Sequence, residues 1–375
     1  MSTFKRVLPL VAIPVIVWTA SVGAAEIAFR LLGATPPSEL EGLYEQLPHG
    51  NYKHRAWVDA DANWYGAKFS VHTDQFGFRC DAQRRFAVDD ANRVDVLIVG
   101  DSQAYGQGVE FGDSVAGTLI EQAARQGLRA ANAATGGHYL PNQLELVRQL
   151  SEHADLRAKH LLIVLTPYLV TWPDTFGHAT VGPDGRLYAG NVTRWKEALV
   201  RVKTHTVLYS KIRDALRATI LPPQTDGAVT NMFLTEYQTG PSEARRMDAL
   251  SDAVTSFQEW ATTVGADVQL VYAPLTLEFE FDALEQAARA QGVHIESVVP
   301  YRIAAAAANR LGLPLYDLRP TLNAIHAKGQ ALSLKGDPHY NPLVSVAAGA
   351  RIWQAFGSTI GSRQSAVTRA QESKG

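Results

Sequence analysis

The stretch that most restricts the fold is Val94-Asp-Val-Leu-Ile-Val99, a short β-branched apolar run that stops at Gly100-Asp101-Ser102. A run of this length and composition, closed by a tight turn, reads as a buried strand. His160 to Leu165 and Val268 to Tyr272 are two more such runs, ended by Pro167 and Pro274, and shorter ones fit Ala130 to Ala134 and Leu313 to Leu318. Helical periodicity fills the intervals: Asp113 to Gln126 with Gly127 as its stop, Leu140 to Ala158, Ser242 to Val264, Glu296 to Arg310, and Pro342 to Phe356. Strand and helix therefore alternate through residues 94 to 356, which predicts an α/β fold with a parallel sheet covered on both faces.

One interval breaks this rhythm. From Thr166 to Asp267 there are about 100 residues, where a βαβ unit needs about 30, so residues 168 to 240 are expected as an insertion. It leaves the carboxyl end of a strand, where ligands bind in open sheets, and is placed to shape a substrate site. Residues 33 to 90, rich in Pro, Asp, Tyr and Trp, are expected as an N-terminal extension packed on a catalytic domain of residues 91 to 360. Within it, Gly66 to His72 alternates weakly, like a strand at a sheet edge. The polar tail, 361 to 375, is expected to be loose.

Residues 1 to 32 read as a membrane segment. Lys5 and Arg6 precede an uncharged run from Val7 to Ala25. About 20 apolar residues span a hydrocarbon core, and positive charges before the run keep that end cytoplasmic and export the rest. Pro9 and Pro14 are tolerated in such a helix. Two outcomes compete. Ser21-Val-Gly-Ala-Ala25 offers a small-residue site at which a signal peptide would be cleaved and the protein secreted. The helical pattern continues through Glu26 to Leu32, which favours an uncleaved inner-membrane anchor with the catalytic domain on the periplasmic side.

Composition removes several alternatives. The net charge is −2 and the pI near 6.6, without the basic surplus of a nucleic-acid binder. The single cysteine, Cys80, cannot form an internal disulfide, and no Cys/His set has zinc spacing. No metal and no cofactor is expected. Cys80 lies among Arg79, Asp81, Arg84 and Arg85 and reads as structural.

Three segments carry chemistry. Gly100-Asp-Ser-Gln-Ala-Tyr-Gly-Gln-Gly108 follows a predicted strand and precedes a helix. That places the Ser102 hydroxyl at the carboxyl end of the sheet, beside backbone N–H groups able to stabilise negative charge. A phosphate-cradling loop would need a Gly-Lys-Ser/Thr ending, and a dinucleotide loop other glycine spacing; neither is present. The bland alternative is a helix-capping serine. In Lys335-Gly-Asp-Pro-His-Tyr-Asn-Pro342, Asp337 is two residues from His339 in an expected loop. A carboxylate there can accept one imidazole N–H and leave the other nitrogen to take a serine proton. The rivals are a metal pair, which would need further ligand clusters not found in the chain, and a turn with a helix cap. Asn132-Ala-Ala-Thr-Gly-Gly-His138, again after a strand, would present backbone N–H groups where an oxyanion develops. All three segments are expected to meet at one edge of the sheet.

These blocks resemble the SGNH, or GDSL-type, hydrolase superfamily. The first matches at Gly100-Asp101-Ser102 onward, the second as Asn-Ala-x-x-x-Gly ending at Gly137, the last at Asp337-Pro-His339 with Asn341 following. Phe76-Gly-Phe-Arg79 is similar to a phrase found upstream of the first block in exported members. The resemblance spans about residues 70 to 357 and implies a three-layer α/β/α sandwich with a flavodoxin-like sheet. It implies Ser102 as nucleophile, His339 as base, Asp337 as its orienter, and the Ser102 and Gly137 amides as oxyanion donors. The third block departs from the pattern: Val164-Leu-Thr-Pro-Tyr168 lacks the usual Asn, with Thr166 or Tyr168 as replacements. The tight Asp–His spacing resembles the membrane-associated subset acting on O-acetyl groups of bacterial polysaccharides.

The expected function is an exported serine esterase acting on an O-acyl, chiefly O-acetyl, ester of a carbohydrate. An O-acetyltransferase on a cell-surface polysaccharide is the alternative, with Tyr168, Trp172, Phe176, Tyr188 and Trp195 as a stacking platform or as plain packing. A glycan-binding module without turnover is a third reading, and a lipase-like site, which needs an apolar mouth, a fourth.

Overall fold

The computed structural model describes residues 17, 20–32, 41–64, 67–89, 91–188, 192–209, 211–212, 234–335 and 337–372. The chain forms two compact units, one of residues 1–39 and 192–225, the other of residues 40–191 and 226–375.

The larger unit is built on an eight-stranded sheet: β1 (Asp59–Trp64), β2 (Ala67–Thr73), β3 (Arg79–Cys80), β4 (Arg93–Val99), β5 (Ala130–Asn132), β6 (Arg157–Leu165), β7 (Asp267–Tyr272) and β8 (Leu315–Asp317). The order across it is β8-β7-β6-β4-β5-β3-β2-β1. The last five strands in sequence are parallel, and the first three are antiparallel. Within the parallel part the order is second, first, third, fourth, fifth, the flavodoxin-like arrangement, whose switch point lies between β4 and β6.

Burial on both faces follows from strand alternation. Leu97 and Val99 of β4, Leu161, Ile163 and Leu165 of β6, and Leu270 and Tyr272 of β7 face one layer, with helices α3 (Leu140–Ala154), α4 (Ser242–Val264) and α5 (Val299–Leu311). Val96, Ile98, Leu162, Val164 and Val271 face the other, with α2 (Val115–Arg125) and α6 (Pro342–Glu372). A short helix, α1 (Ser102–Tyr105), follows β4. The α/β/α sandwich expected from the sequence is the architecture found. At Gly349 a Cβ would fall 2.5 Å from the Val115 carbonyl, so α6 meets α2 nearly backbone to backbone.

Several boundaries differ from expectation. The helix of α3 ends at Ala154 because Asp155 turns left-handed, φ 51°, and β6 begins at Arg157. α6 runs through Glu372, across most of the tail expected to be loose; no proline interrupts it after Pro342. The expected loop at 335–341 is a hairpin strand, Asp337–Tyr340 paired antiparallel with Ser333–Leu334. Within the expected extension, β1 to β3 continue the main sheet beyond β5, while Tyr44–Gln46 and Tyr52–His54 pair in a two-stranded sheet of their own. The expected insertion divides, with 192–225 grouped with the start of the chain.

In the smaller unit, residues 20–31 are helical and Arg194–His205 forms another helix. The Glu26 carboxylate accepts from the N–H groups of Val207 and Leu208 at 3.1 and 2.8 Å. Most of the apolar run expected as an anchor, residues 7–16, 18 and 19, lies outside the described residues. Among those described, no helix is long and apolar enough to cross a membrane.

Candidate active site

Ser102 opens α1 directly after β4. Gly100 allows this, because a Cβ there would stand 2.6 Å from that of Ala104 and 3.2 Å from that of Val164. Asp101 caps the helix, its carboxylate accepting from the Gln103 N–H at 3.0 Å and from the Thr166 hydroxyl at the end of β6. Burial pushes this carboxyl up, and those hydrogen bonds oppose the shift. The helix stops after one turn at Gly106, φ 87°.

The Ser102 hydroxyl lies 2.7 Å from His339 Nε2. On the other side of the ring, Nδ1 is hydrogen-bonded to Asp337 Oδ1, which also accepts the His339 backbone N–H at 2.9 Å. Asp337 Oδ2 accepts from the indole N–H of Trp64 at 3.0 Å, and that indole stands edge-on to the imidazole, 5.9 Å between centres. Burial would raise the Asp337 carboxyl; the bonds from His339 and Trp64 outweigh it and hold the group below the usual carboxylate range. Gln103 ties nucleophile to base: its amide donates to the Pro338 carbonyl at 3.3 Å and accepts the Tyr340 N–H at 3.1 Å.

The second glycine-bearing turn reaches the same place. A Cβ on Gly136 would stand 3.8 Å from that of Ser102. Gly137, φ 77°, is exposed, and its N–H finds no acceptor among the described residues. Ser102, as the first residue of α1, has no intrahelical acceptor for its own N–H. A cavity of about 360 Å³ opens beside Gly137, lined by Tyr52, Tyr139, His178, Leu187 and Tyr188 among others. Another of about 370 Å³ lies at the opposite, amino end of β7 around Asp267 and Gly312, with no nucleophile–base pair.

The structure thus brings together Ser102, Asp337, His339 and the Gly136–Gly137 turn. Of the two suggested substitutes for the missing Asn, Thr166 is already committed. The Thr166 hydroxyl donates to Asp101, and the Tyr168 ring stacks on Tyr139 at 4.6 Å. Cys80 is buried in β3, its thiol pushed up to about 12 by burial and by Asp74 and Asp81, unsuited to nucleophilic work. Among the described residues no group of three or more His, Cys, Asp or Glu is placed to hold a metal.

Sequence reasoning missed Trp64, Gln103 and Tyr52. Trp64 is 273 residues from its partner, so no local signal existed. In the sequence Arg79 stands out through the phrase Phe76-Gly-Phe-Arg79 and as a neighbour of Cys80. Its buried guanidinium donates to the carbonyls of Ser70, Tyr105, Gly106 and Val109, at 3.0, 3.1, 2.6 and 2.6 Å, and fixes the turn after α1.

No protein-family model and no curated protein matches the chain. Solved structures do. TesA shares 15% identity, with 70% of this chain and 97% of that chain covered, at a TM-score of 0.37. A GDSL-like lipase from Bacteroides thetaiotaomicron shares 12%, over 74% of this chain and 94% of that one, at 0.36. LAE5, described as an alpha/beta hydrolase from the metagenome of Lake Arreo, Spain, shares 15%, over 70% and 95%, at 0.39. GDSL-type hydrolases therefore stand among the structures this chain is similar to. The chemistry inferred for it rests on the distances around Ser102.

Proposed function

We propose that this protein is a serine-dependent ester hydrolase that works through an acyl-enzyme on Ser102. The observation that carries this is the continuous path Ser102 Oγ to His339 Nε2, at 2.7 Å, and His339 Nδ1 to Asp337. Ser102 attacks the ester carbonyl while His339 takes its proton, and Asp337 holds the imidazole in the right tautomer and stabilises its charged form. The Ser102 and Gly137 N–H groups receive the oxyanion. His339 returns the proton to the leaving alcohol, then takes one from the water that attacks the acyl-enzyme and passes it to Ser102 Oγ as the carboxylic acid leaves.

The substrate class we favour is an O-acyl, chiefly O-acetyl, ester of a carbohydrate. The cavity beside Gly137 supports this. Its walls are aromatic and imidazole rings, small residues and Leu187, without a Lys, Arg, Asp or Glu, and such rings can stack on a neutral sugar. The same cavity is equally suited to a sugar that accepts the acyl group, so transfer is the second reading. The charge pattern around residues 5–25 supports attachment to the inner membrane with the site on the periplasmic side.

Replacing Ser102 with Ala is expected to lower turnover of p-nitrophenyl acetate by about 10⁴ or more, and to abolish labelling by a fluorophosphonate probe. Undiminished turnover in that variant removes the proposal. Product analysis with an acetylated oligosaccharide separates the two readings: free acetate marks hydrolysis, and acetate moved to an added glycan marks transfer.

A further inference from the structure

The peptide between Gly136 and Gly137 is clamped from outside the parallel sheet. Tyr52 lies in the strand Tyr52–His54 of the N-terminal extension, 3% exposed. Its hydroxyl donates to the Gly136 carbonyl at 3.1 Å. A trans peptide is planar, with its C=O and N–H pointing in opposite directions. Holding the Gly136 oxygen toward Tyr52 therefore directs the Gly137 N–H away from Tyr52, and a rotation of that plane would carry donor and acceptor together. Gly137 is left-handed, and a Cβ on it would stand 2.8 Å from the Tyr52 hydroxyl, so glycine is what lets the phenol approach.

The clamp is itself held. The Tyr52 ring meets His138 edge-on at 4.6 Å, and His138 Nε2 is 2.8 Å from the Tyr52 carbonyl. Asn51, beside it, donates to the Asn142 carbonyl and accepts from the Asn142 amide, each at 3.0 Å. Asn142 also bonds both backbone groups of Gly177, at 2.7 and 2.9 Å. These contacts seat the extension on the start of α3, one turn from the glycines. Burial, with Tyr139 adding to it, keeps the Tyr52 phenol protonated and hence a donor.

We infer that Tyr52 is a positioning residue for catalysis: through the Gly136 carbonyl it sets the direction of the Gly137 N–H, the oxyanion donor. The inference rests on the acyl-enzyme reading above. It also gives that site a means of working without the Asn of the third block, because the donors that remain are rigidly set.

The test is Tyr52→Phe in the full chain, which keeps the ring against His138 and removes the hydroxyl. Losing an oxyanion donor outright costs about 10²–10³ in rate, so a donor left in place but unguided is expected to cost about tenfold in kcat. KM for p-nitrophenyl acetate should stay within about twofold, and the pH–rate profile should keep its midpoint, since His339 is untouched. Affinity for a small alkylboronic acid, whose tetrahedral adduct on Ser102 places an oxygen in the oxyanion position, should weaken by a factor similar to the loss in kcat. A kcat within about twofold of wild type overturns the inference. So does a loss of kcat with unchanged boronate affinity and a lowered Tm, which would assign Tyr52 to packing alone. Fluorophosphonate labelling of the unsubstituted protein keeps the two levels apart. An unlabelled Ser102 defeats the acyl-enzyme reading, whereas a labelled Ser102 with an undiminished Tyr52→Phe variant defeats only this inference.

Discussion

Trp64 shows how one side chain can matter to a site that its own segment does not contain. Its indole N–H is the partner of the Asp337 oxygen that His339 leaves over. Without it, a carboxylate only 6% exposed would have one oxygen poorly satisfied and greater freedom to turn away from the imidazole. A hydrogen bond to a charged group is worth about 1.5–3 kcal/mol, so Trp64→Phe is expected to lower kcat/KM by about tenfold or more. Steady-state kinetics with p-nitrophenyl acetate check this, and a change under about twofold would show that His339 alone orients Asp337. Asp337 and His339 could be paired from sequence because they are two residues apart. Their contacts with Trp64 and Gln103 could not be, since nothing in a sequence marks which distant strand ends beside which turn.

At the scale of the element, Arg79 replaces what secondary structure would otherwise supply. The turn at 105–109 has carbonyls that neither helix nor sheet can bond, and one buried guanidinium takes three of them together with that of Ser70. The faces of Phe69 and Tyr105 lie 5.3 and 5.0 Å from it and complete its surroundings. Arg79→Met keeps the stem and removes every donor. It is expected to cost about 3–5 kcal/mol, read as a shift in the urea midpoint with unchanged slope. Lysine should not rescue it, because a point charge cannot span four carbonyls. The strands and helices themselves were legible wherever the apolar period was long. The period of Ser242–Val264 marks both ends of its helix, whereas the Asp337–Tyr340 strand, four residues long and containing Pro338, carries no period and resembles a loop in sequence.

At the scale of the molecule, a buried carboxyl should make stability depend on pH. Glu278, a partly exposed residue, turns its carboxyl inward onto the hydroxyls of Tyr272 and Tyr237, at 2.7 and 3.4 Å. Burial raises that carboxyl from 4.5 to about 8, against the opposing effect of its hydrogen bonds. Below about pH 4.5 folded and unfolded chains both hold the proton. From there to about 8 only the folded chain does, so stability falls as pH rises through this window and then levels off. Glu278→Gln removes the titration, and its urea midpoint is expected to fall less steeply between about pH 5 and 8 than that of the parent. Parallel slopes would show that the carboxyl is already ionised in the fold. The N-terminal run predicts a second property: the full chain should stay with membranes through an alkaline carbonate wash, and release into the soluble fraction would favour cleavage after residues 21–25.

Taken by itself, the amino-acid order determined the layered α/β class, the places where strands end in turns, and Ser102, Asp337, His339 and Gly137 as the residues to watch. It could do so because period, β-branched runs and turn chemistry act over a few neighbours, and an imidazole and its carboxylate happen to be two residues apart. Only the tertiary structure decided that β1 to β3 extend the sheet itself, that Thr166 is committed to Asp101, and that Tyr52 and Trp64 meet the glycine turn and the acid. Those contacts join segments separated by 65 to 273 residues. Their pairing is settled by which strands lie side by side and which carbonyls are left without partners, and neither is fixed until the chain has closed on itself.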